Sequence, residues 1–421
     1  MSRQKLPLAG LAPSFKSRIA ERIAASRDPV ARLRASTELE LYYEAGDPHS
    51  QLCAALARTW AARLRRPLRI HLVPTPDPQT YPEEARQRAF AATDAARLAP
   101  CHGLASPVAL GEADRAALAA RLAATNTAEA FLACEAAALA AVTAQRPMPG
   151  PVADAAATAS VQQAGQRRRE RLGHYLPAMW QYRGEWFWAL DRLETLEQRL
   201  RADGMIEDAA PLSRRDPACL PPQPEADPAA ALEFWFSFRS PYSYLAAVEL
   251  LEARRRGLYP RLQVRPVLPM VMRGLPVPRL KRLYIVRDVK RCADAAGIPF
   301  GRIHDPVGEG VLRLLTVFPY EADADTQLRY CAIAGQTVWA EGLDVRRDEV
   351  LHSVIARSGL AWAQAQRTLA GGTDTRRAEA HRDALFAAGL WGVPSFRLGG
   401  FTTWGQDRLW MLERVTAAVA P

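Results

Sequence analysis

One sequence pattern occurs twice in the chain, and it restricts the fold more than any other feature. Residues 39–52 align without a gap with residues 232–245. Each stretch begins with an apolar and aromatic run, passes through a polar residue followed by proline, and continues into a helical pattern. The polar residue is Asp47 in the first copy and Ser240 in the second. The repetition predicts two copies of a strand that leads into a helix.

A second correspondence lies near the end of each copy. Residues 176–184 resemble residues 393–400, and each stretch continues into Asp-Arg-Leu, which begins at Asp191 and at Asp407. Two local matches in the same order, separated by similar lengths, are better evidence for a repeat than either match alone. We infer a tandem duplication of one fold.

Both copies have the same predicted order of elements. A strand leads into a helix and then into a second strand, at residues 67–73 and 261–267, which makes a βαβ unit with a right-handed crossover. A long helical region rich in alanine, leucine and arginine follows, at residues 82–172 and 270–388, and a hairpin with a closing helix completes each copy. The predicted fold class is α/β, with a large helical insertion in each copy.

The domain boundaries follow from the repeat and from the proline content. We predict an N-terminal extension at residues 1–36, a first domain at residues 37–202 and a second domain at residues 232–421. Residues 203–231 lie between the domains, carry six prolines and are predicted to form an extended linker. Within the extension, residues 18–34 have helical periodicity.

Composition excludes several classes of protein. Of the 421 residues, 49% are hydrophobic, which argues against wholesale disorder. No run of about 18 apolar residues predicts a membrane span, and the N-terminus lacks the apolar block of a secretion signal. The six cysteines are scattered without a Cys-x-x-Cys or a His/Cys cluster, so neither a metal site nor a disulfide framework is predicted. These features predict a cytoplasmic protein.

The net charge of +10 does not by itself predict a nucleic-acid partner. Only four lysines are present, so arginine supplies nearly all of the positive charge, and it is spread along the chain beside acidic residues. The basic runs at residues 63–66 and 166–171 have no interleaved aromatic side chains. We expect these runs to be solvated helix surfaces, and we expect neither a nucleic acid nor a membrane as a partner.

Ser240 is expected where a strand leads into the N-terminus of a helix. Unpaired backbone N–H groups and the helix dipole favour anions there, thiolates included. The turn from Ser240 to Ser243 contains no cysteine, so it cannot cycle between a dithiol and a disulfide. A hydroxyl can still hydrogen-bond a sulfur that another molecule supplies, and glutathione is the obvious donor. We therefore predict that the protein is not a dithiol-disulfide oxidoreductase.

Three segments carry a resemblance to a known family: residues 234–246, residues 281–288 with 297–300, and residues 392–409. They resemble the glutathione-dependent branch of the DsbA-like thioredoxin superfamily. More narrowly, they are similar to 2-hydroxychromene-2-carboxylate isomerases and kappa-class glutathione transferases. Their order and spacing cover essentially all of residues 232–417. The resemblance implies two tandem thioredoxin-like domains, each with a large α-helical insertion, of which the N-terminal one is a degenerate copy.

The resemblance also implies a glutathione site in the C-terminal half. Ser240 would donate its hydroxyl to the glutathione sulfur and lower the pKa of the thiol from about 8.5. The plain alternative is that this serine only caps the helix. In the family the proline at the position of Pro394 is cis, so that Val393 would pair through its backbone with the peptide. The alternative is a trans proline that opens an edge strand.

Five more residues complete the site that the resemblance implies. Gln406 and Asp407 begin the closing helix, where N–H groups suit the γ-glutamyl carboxylate and the Asp407 carboxylate suits the ammonium, although acidic residues are common in any first helical turn. Lys281 would hold the glycyl carboxylate or an acidic substrate, or would belong to a solvated basic patch. Tyr242 and Ser243 would line the substrate pocket. No metal ligand is predicted.

Two further features concern the loop after the second strand and two tyrosines of the matching segments. The related enzymes usually carry an asparagine-containing loop after the second strand that contacts glutathione, whereas residues 269–278 contain no asparagine. Tyr244 and Tyr284 are aromatic residues of the matching segments. They would line the substrate pocket together with Tyr242, because aromatic substrates favour aromatic walls, or lie in the core on helices, which is the interpretation we favour.

The N-terminal half has Asp47 where the C-terminal half has Ser240. A carboxylate there repels a thiolate, so we predict that this half does not bind glutathione in the same manner. It would pack against the catalytic half in place of a second subunit, which makes the chain a monomer with pseudo-dimeric halves or a homodimer. The alternative is a second site in which His49 is an acid or base.

These features together imply a glutathione-dependent isomerase of the 2-hydroxychromene-2-carboxylate type. Its substrate would be a small molecule, an unsaturated aromatic oxo acid. One alternative is a kappa-like glutathione transferase or peroxidase, which uses the same site and consumes glutathione. The other alternative is a non-catalytic thioredoxin-like binding protein, in which both turns have lost their chemistry.

Overall fold

A computed structural model describes residues 36–78 and 81–417. The predicted N-terminal extension lies outside the described residues apart from its last position, and so does the helical pattern at residues 18–34. The described residues form two compact units. The first unit comprises residues 36–221 together with Pro278–Tyr284, and the second comprises Pro222–Val277 and residues 285–417. The boundary between Pro221 and Pro222 falls within the segment predicted as a linker.

The first unit is built on a four-stranded sheet. Its strands are β1 (Glu40–Glu44), β2 (Arg69–Val73), β3 (Met179–Tyr182) and β4 (Glu185–Trp188). They lie in the order β2-β1-β3-β4. β1 and β2 are parallel, as the predicted βαβ unit requires, and β3 and β4 form an antiparallel hairpin against β1.

Helices cover this sheet and supply the insertion. They are α1 (Pro48–Trp60), α2 (Glu84–Cys101), α3 (Glu112–Ala123), α4 (Ala128–Thr143), α5 (Ala155–Arg171) and α6 (Leu193–Ala202). Helix α1 connects the two parallel strands, and α2 to α5 form the insertion between β2 and β3. Helix α6 closes the copy. The order of elements is the one that the repeat predicts.

The core of the first unit depends on aromatic packing and on one close approach. Trp60 of α1 packs against Trp180 of β3, with ring centroids 5.0 Å apart. Another buried cluster consists of Tyr42, Val73, Leu172, Met179 and Trp186, and Tyr284 packs against it. Gly165 allows α5 to lie directly on β2, because a Cβ at this position would be 2.2 Å from the carbonyl oxygen of Leu72.

The second unit repeats the sheet of the first. Its strands are β5 (Leu232–Phe236), β6 (Leu262–Pro266), β7 (Ser395–Leu398) and β8 (Phe401–Trp404). They lie in the order β6-β5-β7-β8, again with one parallel pair and one antiparallel hairpin. Each strand of this sheet therefore has the same position as its counterpart in the sheet of the first unit.

The helices of the second half follow the same plan with a longer insertion. They are α7 (Pro241–Arg255), α8 (Arg279–Ala295), α9 (Glu309–Thr316), α10 (Ala324–Trp339), α11 (Asp348–Arg357), α12 (Trp362–Ala370), α13 (Arg376–Ala387) and α14 (Leu409–Ala417). Helix α7 connects β5 to β6, α8 to α13 form the insertion, and α14 closes the copy. The start of α8, up to Tyr284, is the part of this half that groups with the first unit.

Aromatic residues also fill the core of the second unit. Phe234 of β5 stacks on Phe396 of β7, with ring centroids 5.3 Å apart. Tyr244 of α7 is buried, as predicted, and its hydroxyl donates to the carbonyl oxygen of Pro299 at 3.0 Å. Its ring fits against Gly335 of α10, where an added Cβ would lie 2.4 Å from Cδ2 of the tyrosine. The insertion is thus packed tightly on α7, the helix that begins directly after Ser240.

The predicted fold class is confirmed. Two four-stranded sheets have the same strand order, and each carries a helical insertion between its second and third strands. Within residues 36–78 and 81–417, no helix combines the length and the apolar character needed to cross a membrane.

Candidate active site

Ser240 caps helix α7 just beyond the end of β5. Its Oγ accepts a hydrogen bond from the N–H of Ser243 at 3.2 Å and donates one to the carbonyl oxygen of Val393 at 3.3 Å. The hydroxyl of Ser243 accepts from the N–H of Ser237 at 3.5 Å, and Ser243 is fully buried inside the turn. Ser240 itself is half-buried. A partly accessible hydroxyl therefore lies at a helix N-terminus, where it also serves as the cap.

The segment around Pro394 lies against this turn. The bond between Val393 and Pro394 is cis. The carbonyl oxygen of Pro394 accepts a hydrogen bond from the N–H of Gly405 at 2.9 Å, which connects the segment to the start of the closing helix. The carbonyl oxygen of Val393 already accepts the hydrogen bond from the Ser240 hydroxyl. The N–H of Val393 has no acceptor in the described part of the chain.

Gln406 and Asp407 lie in a short turn between β8 and α14. The amide of Gln406 is buried and donates to Oδ2 of Asp407 at 3.0 Å. Glu249 of α7 is close by: burial raises the pKa of Glu249 to about 7, and the carboxylates of Asp407 and Glu413 add to this effect. Three carboxyl groups thus create an acidic region at Asp407, and such a region favours a ligand ammonium group.

The second half of α8 is joined to the turn and to the closing segment. The hydroxyl of Tyr242 donates to Oδ2 of Asp288 at 2.7 Å, and Arg291 donates to the other carboxylate oxygen at 2.8 Å. Asp288 is buried. One turn further on, Sγ of Cys292 lies 4.0 Å from the side-chain nitrogen of Gln406. The insertion therefore contacts the candidate site at the Ser240 turn, through Tyr242, and at the closing segment, through Gln406. The hydroxyl of Tyr242 is used in the first of these contacts.

Lys281 contacts an aromatic residue of the first unit. Its ammonium lies over the ring of Tyr175, 5.9 Å from the centroid, and burial lowers the pKa of Lys281 to about 8. Tyr284, also expected in the core, is half-buried edge-on against His174, with centroids 4.5 Å apart. The second unit brings together Ser240, Tyr242, Ser243, Val393, Pro394, Gln406 and Asp407, whereas Lys281 groups with the first unit.

The first unit has the same turn with different chemistry. The carboxylate of Asp47 caps α1 by accepting from the N–H of Ser50 at 2.7 Å. The hydroxyl of Ser50 accepts from the N–H of Glu44 at 3.2 Å, just as Ser243 does in the second unit. His49 follows Pro48 as Tyr242 follows Pro241, and its ring pairs with the buried carboxylate of Asp94 at 3.5 Å.

A turn residue paired with a buried aspartate is therefore common to both units. His49 and Asp94 are 45 positions apart, and Tyr242 and Asp288 are 46 positions apart, with each aspartate on the first helix of its insertion. The cis proline is not repeated: among the described residues Val393–Pro394 is the single cis bond, so the bond before Pro177 is trans.

Sequence reasoning missed two residues of this region. Asp288 lies in a matching segment that carries no predicted role for it, and the signal that identifies it is the similar spacing from the turn to an aspartate in both copies. Glu249 gave no signal, because a glutamate on an amphipathic helix is ordinary. Only the packing of α7 against the closing segment places it beside Asp407.

Comparison with known proteins places the second half in a family. Residues 231–417 match the family of DSBA-like thioredoxin domains. A 2-hydroxychromene-2-carboxylate isomerase of Pseudomonas putida is 28% identical over 189 residues, which is 43% of this chain and 92% of the relative. An enzyme of the same name from Sphingobium xenophagum is 27% identical over 196 residues, with 95% of the relative covered.

A solved structure of a 2-hydroxychromene-2-carboxylate isomerase is 26% identical in sequence and aligns with a TM-score of 0.38, covering 45% of this chain and 95% of that one. The family match spans the turn at Ser240, the cis Pro394 and the closing segment at Asp407. Residues 231–417 are therefore a DSBA-like thioredoxin domain whose curated relatives include 2-hydroxychromene-2-carboxylate isomerases.

Proposed function

We propose that the C-terminal domain is a glutathione-dependent isomerase of the 2-hydroxychromene-2-carboxylate type. Its substrate would be an unsaturated aromatic oxo acid. Two kinds of observation support the proposal: relatives named as these isomerases align along nearly their whole length, and a serine occupies the turn where a dithiol enzyme needs two cysteines.

The observation that carries the proposal is the position of the Ser240 hydroxyl. It lies at the N-terminus of α7 and hydrogen-bonds the carbonyl oxygen of Val393, directly before the cis Pro394. Backbone N–H groups and the dipole of a 15-residue helix favour negative charge at this place. A neutral hydroxyl there can donate a hydrogen bond to a thiolate and, unlike a carboxylate, does not repel it.

The groups around Ser240 suit glutathione. The N–H of Val393 can donate to the peptide backbone of the ligand. The acidic region formed by Asp407 and Glu249 suits the γ-glutamyl ammonium, since opposite charges in a partly buried site attract strongly. The proposal assigns no role to Lys281, whose ammonium lies over the ring of Tyr175.

When bound, glutathione would supply a thiolate able to add reversibly to a conjugated carbon of the substrate and to leave unchanged after rotation about the former double bond. The part of Ser240 is to hold that sulfur. Its hydroxyl has one proton, which points to the carbonyl oxygen of Val393. Ser240 must therefore turn its proton from Val393 to the sulfur, while its oxygen keeps accepting from the N–H of Ser243.

Product analysis tests the proposal. The full chain is incubated with 2-hydroxychromene-2-carboxylate and reduced glutathione, and both substrate conversion and remaining glutathione are measured. We expect conversion that requires glutathione while its concentration stays constant. A glutathione conjugate or glutathione disulfide formed in proportion to turnover would overturn the proposal in favour of a kappa-like transferase or peroxidase. If calorimetry detects no glutathione binding at millimolar ligand, every glutathione mechanism is excluded. The alternative that then remains is a non-catalytic thioredoxin-like binding protein.

A further inference from the structure

The first unit contains a cavity at the carboxyl ends of its two parallel strands. Its volume is about 460 Å³, within the range of about 300–1,000 Å³ that is usual for small-molecule sites. Glu44 and Ala45 at the end of β1, and Val73 and Thr75 at the end of β2, form its floor. In open α/β sheets, this end of the parallel strands is where ligands bind.

The walls of the cavity are mostly small and apolar. Seven of the thirteen lining residues are alanines, and most of them belong to helices α3 and α5. Ala120 of α3 is half-buried, and Ala155 and Ala159 of α5, which are exposed, also line the cavity. Alanine walls make close van der Waals contact with a slim aliphatic group and offer it no hydrogen bond.

Glu44 contributes a buried carboxylate with one oxygen to spare. The residue is 3% exposed. Its Oε1 accepts hydrogen bonds from the hydroxyl of Thr75 at 2.8 Å and from Arg88 at 2.6 Å. Its Oε2 accepts none from the described residues. Burial and, secondly, the charge of Asp47 raise the pKa of Glu44, whereas Arg88 lowers it. A donor from a ligand would therefore satisfy an acceptor that the protein leaves unpaired.

Arg115 and Gln162 bring complementary groups to the same cavity. The guanidinium of Arg115 is on a half-buried side chain and makes no hydrogen bond or ion pair with residues 36–78 or 81–417. By contrast, Arg121, two turns along α3, donates to the carbonyl oxygen of Met148 at 2.9 Å. The side-chain amide of Gln162 is likewise without a hydrogen-bond partner in the described residues. One unused carboxylate oxygen, one guanidinium and one side-chain amide therefore line a single cavity whose other residues are mostly alanines.

We propose that this cavity binds a small zwitterion that carries an ammonium group and a carboxylate on an aliphatic frame, the class of aliphatic amino acids and their dipeptides. Glu44 accepts from the ammonium, Arg115 pairs with the carboxylate, and Gln162 donates to or accepts from the ligand backbone. The alanines hold the aliphatic side chain. Because these residues all belong to the first unit, the site does not depend on the glutathione site proposed for the second domain.

Titration calorimetry of the full chain tests the charge requirements. The probes are L-leucine and L-alanyl-L-leucine, compared with N-acetyl-L-leucine, which lacks the ammonium, and L-leucinamide, which lacks the carboxylate. We expect one site per chain for at least one probe, and about tenfold or weaker binding for each comparison compound, because one charge-assisted hydrogen bond is lost. Absence of binding of both probes at millimolar concentration would overturn the proposal, and so would equal affinity for the two comparison compounds, each of which lacks one of the two charges.

Two substitutions locate the site. Arg115→Met removes the guanidinium, and Ala120→Leu fills the cavity without changing charge. Both should weaken probe binding by about tenfold or more. Their controls are Arg146→Met and Ala156→Leu, at exposed positions that do not line the cavity, and these should leave affinity unchanged. Arg115 has no hydrogen-bond or ion-pair partner among the described residues, and methionine keeps the stem that packs over Gly46, so we expect the variant to fold. Unchanged binding in both cavity variants would show that the ligand binds elsewhere and would overturn the assignment.

Discussion

The phenolic hydroxyl of Tyr242 donates a 2.7 Å hydrogen bond to the carboxylate of Asp288, which is 1% exposed. His49 and Asp94 form the corresponding pair in the first unit. In both units, a residue in the first turn of the helix is thus tied to the first helix of the insertion. This contact fixes the insertion next to the position where the chemistry is expected.

Tyr242→Phe removes the hydroxyl and keeps the ring. Asp288 then keeps Arg291 but loses a buried partner, so the free energy of unfolding should fall by about 1–3 kcal/mol. Tyr320→Phe is the matched control, because the hydroxyl of the half-buried Tyr320 makes no hydrogen bond with the described residues, and its effect should stay within about 0.5 kcal/mol. Denaturant unfolding measures both values; equal losses would show that the contact with Asp288 does not stabilise the fold.

Substitutions of Ser240 separate its structural and chemical roles. Ser240→Ala loses the helix cap and should cost about 1 kcal/mol of stability. Ser240→Asp keeps a cap of the kind that Asp47 provides in the first unit, where it accepts from Ser50. It should therefore be nearly as stable as the parent protein while its carboxylate repels a thiolate. Unfolding and glutathione titration are measured together, and an Asp variant that binds glutathione with parental affinity would rule out the contact between hydroxyl and sulfur.

Glu249 should make stability depend on pH. Its pKa is about 7 in the folded protein against an ordinary 4.5, so between these values the folded state keeps a proton that the unfolded chain releases. The contribution of Glu249 is therefore fully present below about pH 4.5 and is lost as pH rises through about 7. Relative to the parent protein, Glu249→Gln should gain about 1–3 kcal/mol between about pH 5 and about pH 8, allowing for partial exposure.

Glu252→Gln is the control for this experiment, since Glu252 is an exposed residue of the same helix that pairs with Arg255 at 3.0 Å. Its effect should be small, because the ion pair that it removes is exposed. Unfolding curves recorded across this pH interval measure both variants, and a Glu249→Gln difference that does not change with pH would contradict the acidic region at Asp407.

Gly335→Ala tests the packing of the insertion on α7. In an isolated helix this substitution stabilises by about 1 kcal/mol. Here the new Cβ would lie within 2.8 Å of three atoms of the Tyr244 side chain, which is buried and cannot move aside. We expect a loss of about 1–3 kcal/mol instead. The sign of the change, read from thermal or denaturant unfolding, decides between helix propensity and overpacking.

Much of the fold could be predicted because its signals are local. Apolar and aromatic runs predict the leading strands, helical hydrophobic patterns predict the helices, and a polar residue before proline marks the N-terminus of α1 and α7. The repeat then predicts that both halves share one strand order. The closeness of Ser240 to Val393 follows from the same fold, because the turn after β5 and the segment before β7 lie at the same end of adjacent strands.

Other features depend on partners that no local pattern specifies. Pro278–Tyr284 groups with the first unit because Tyr284 packs on a cluster whose members lie 98 or more residues before it in sequence. Lys281 belongs to the same segment, and its ammonium lies over the ring of Tyr175. A lysine on a helix gives the same sequence signal whether it is solvated or buried, so its environment could not be foreseen.

The ionisation of bound glutathione is the most direct test of the role assigned to Ser240. Thiolate absorbance is followed as pH is raised, for glutathione saturating the full chain and for glutathione saturating the Ser240→Ala variant. The account predicts a thiol pKa below about 8.5 on the parent protein and a return toward that value in the variant. A bound thiol that titrates like free glutathione in the parent protein, or identically in both proteins, would contradict it.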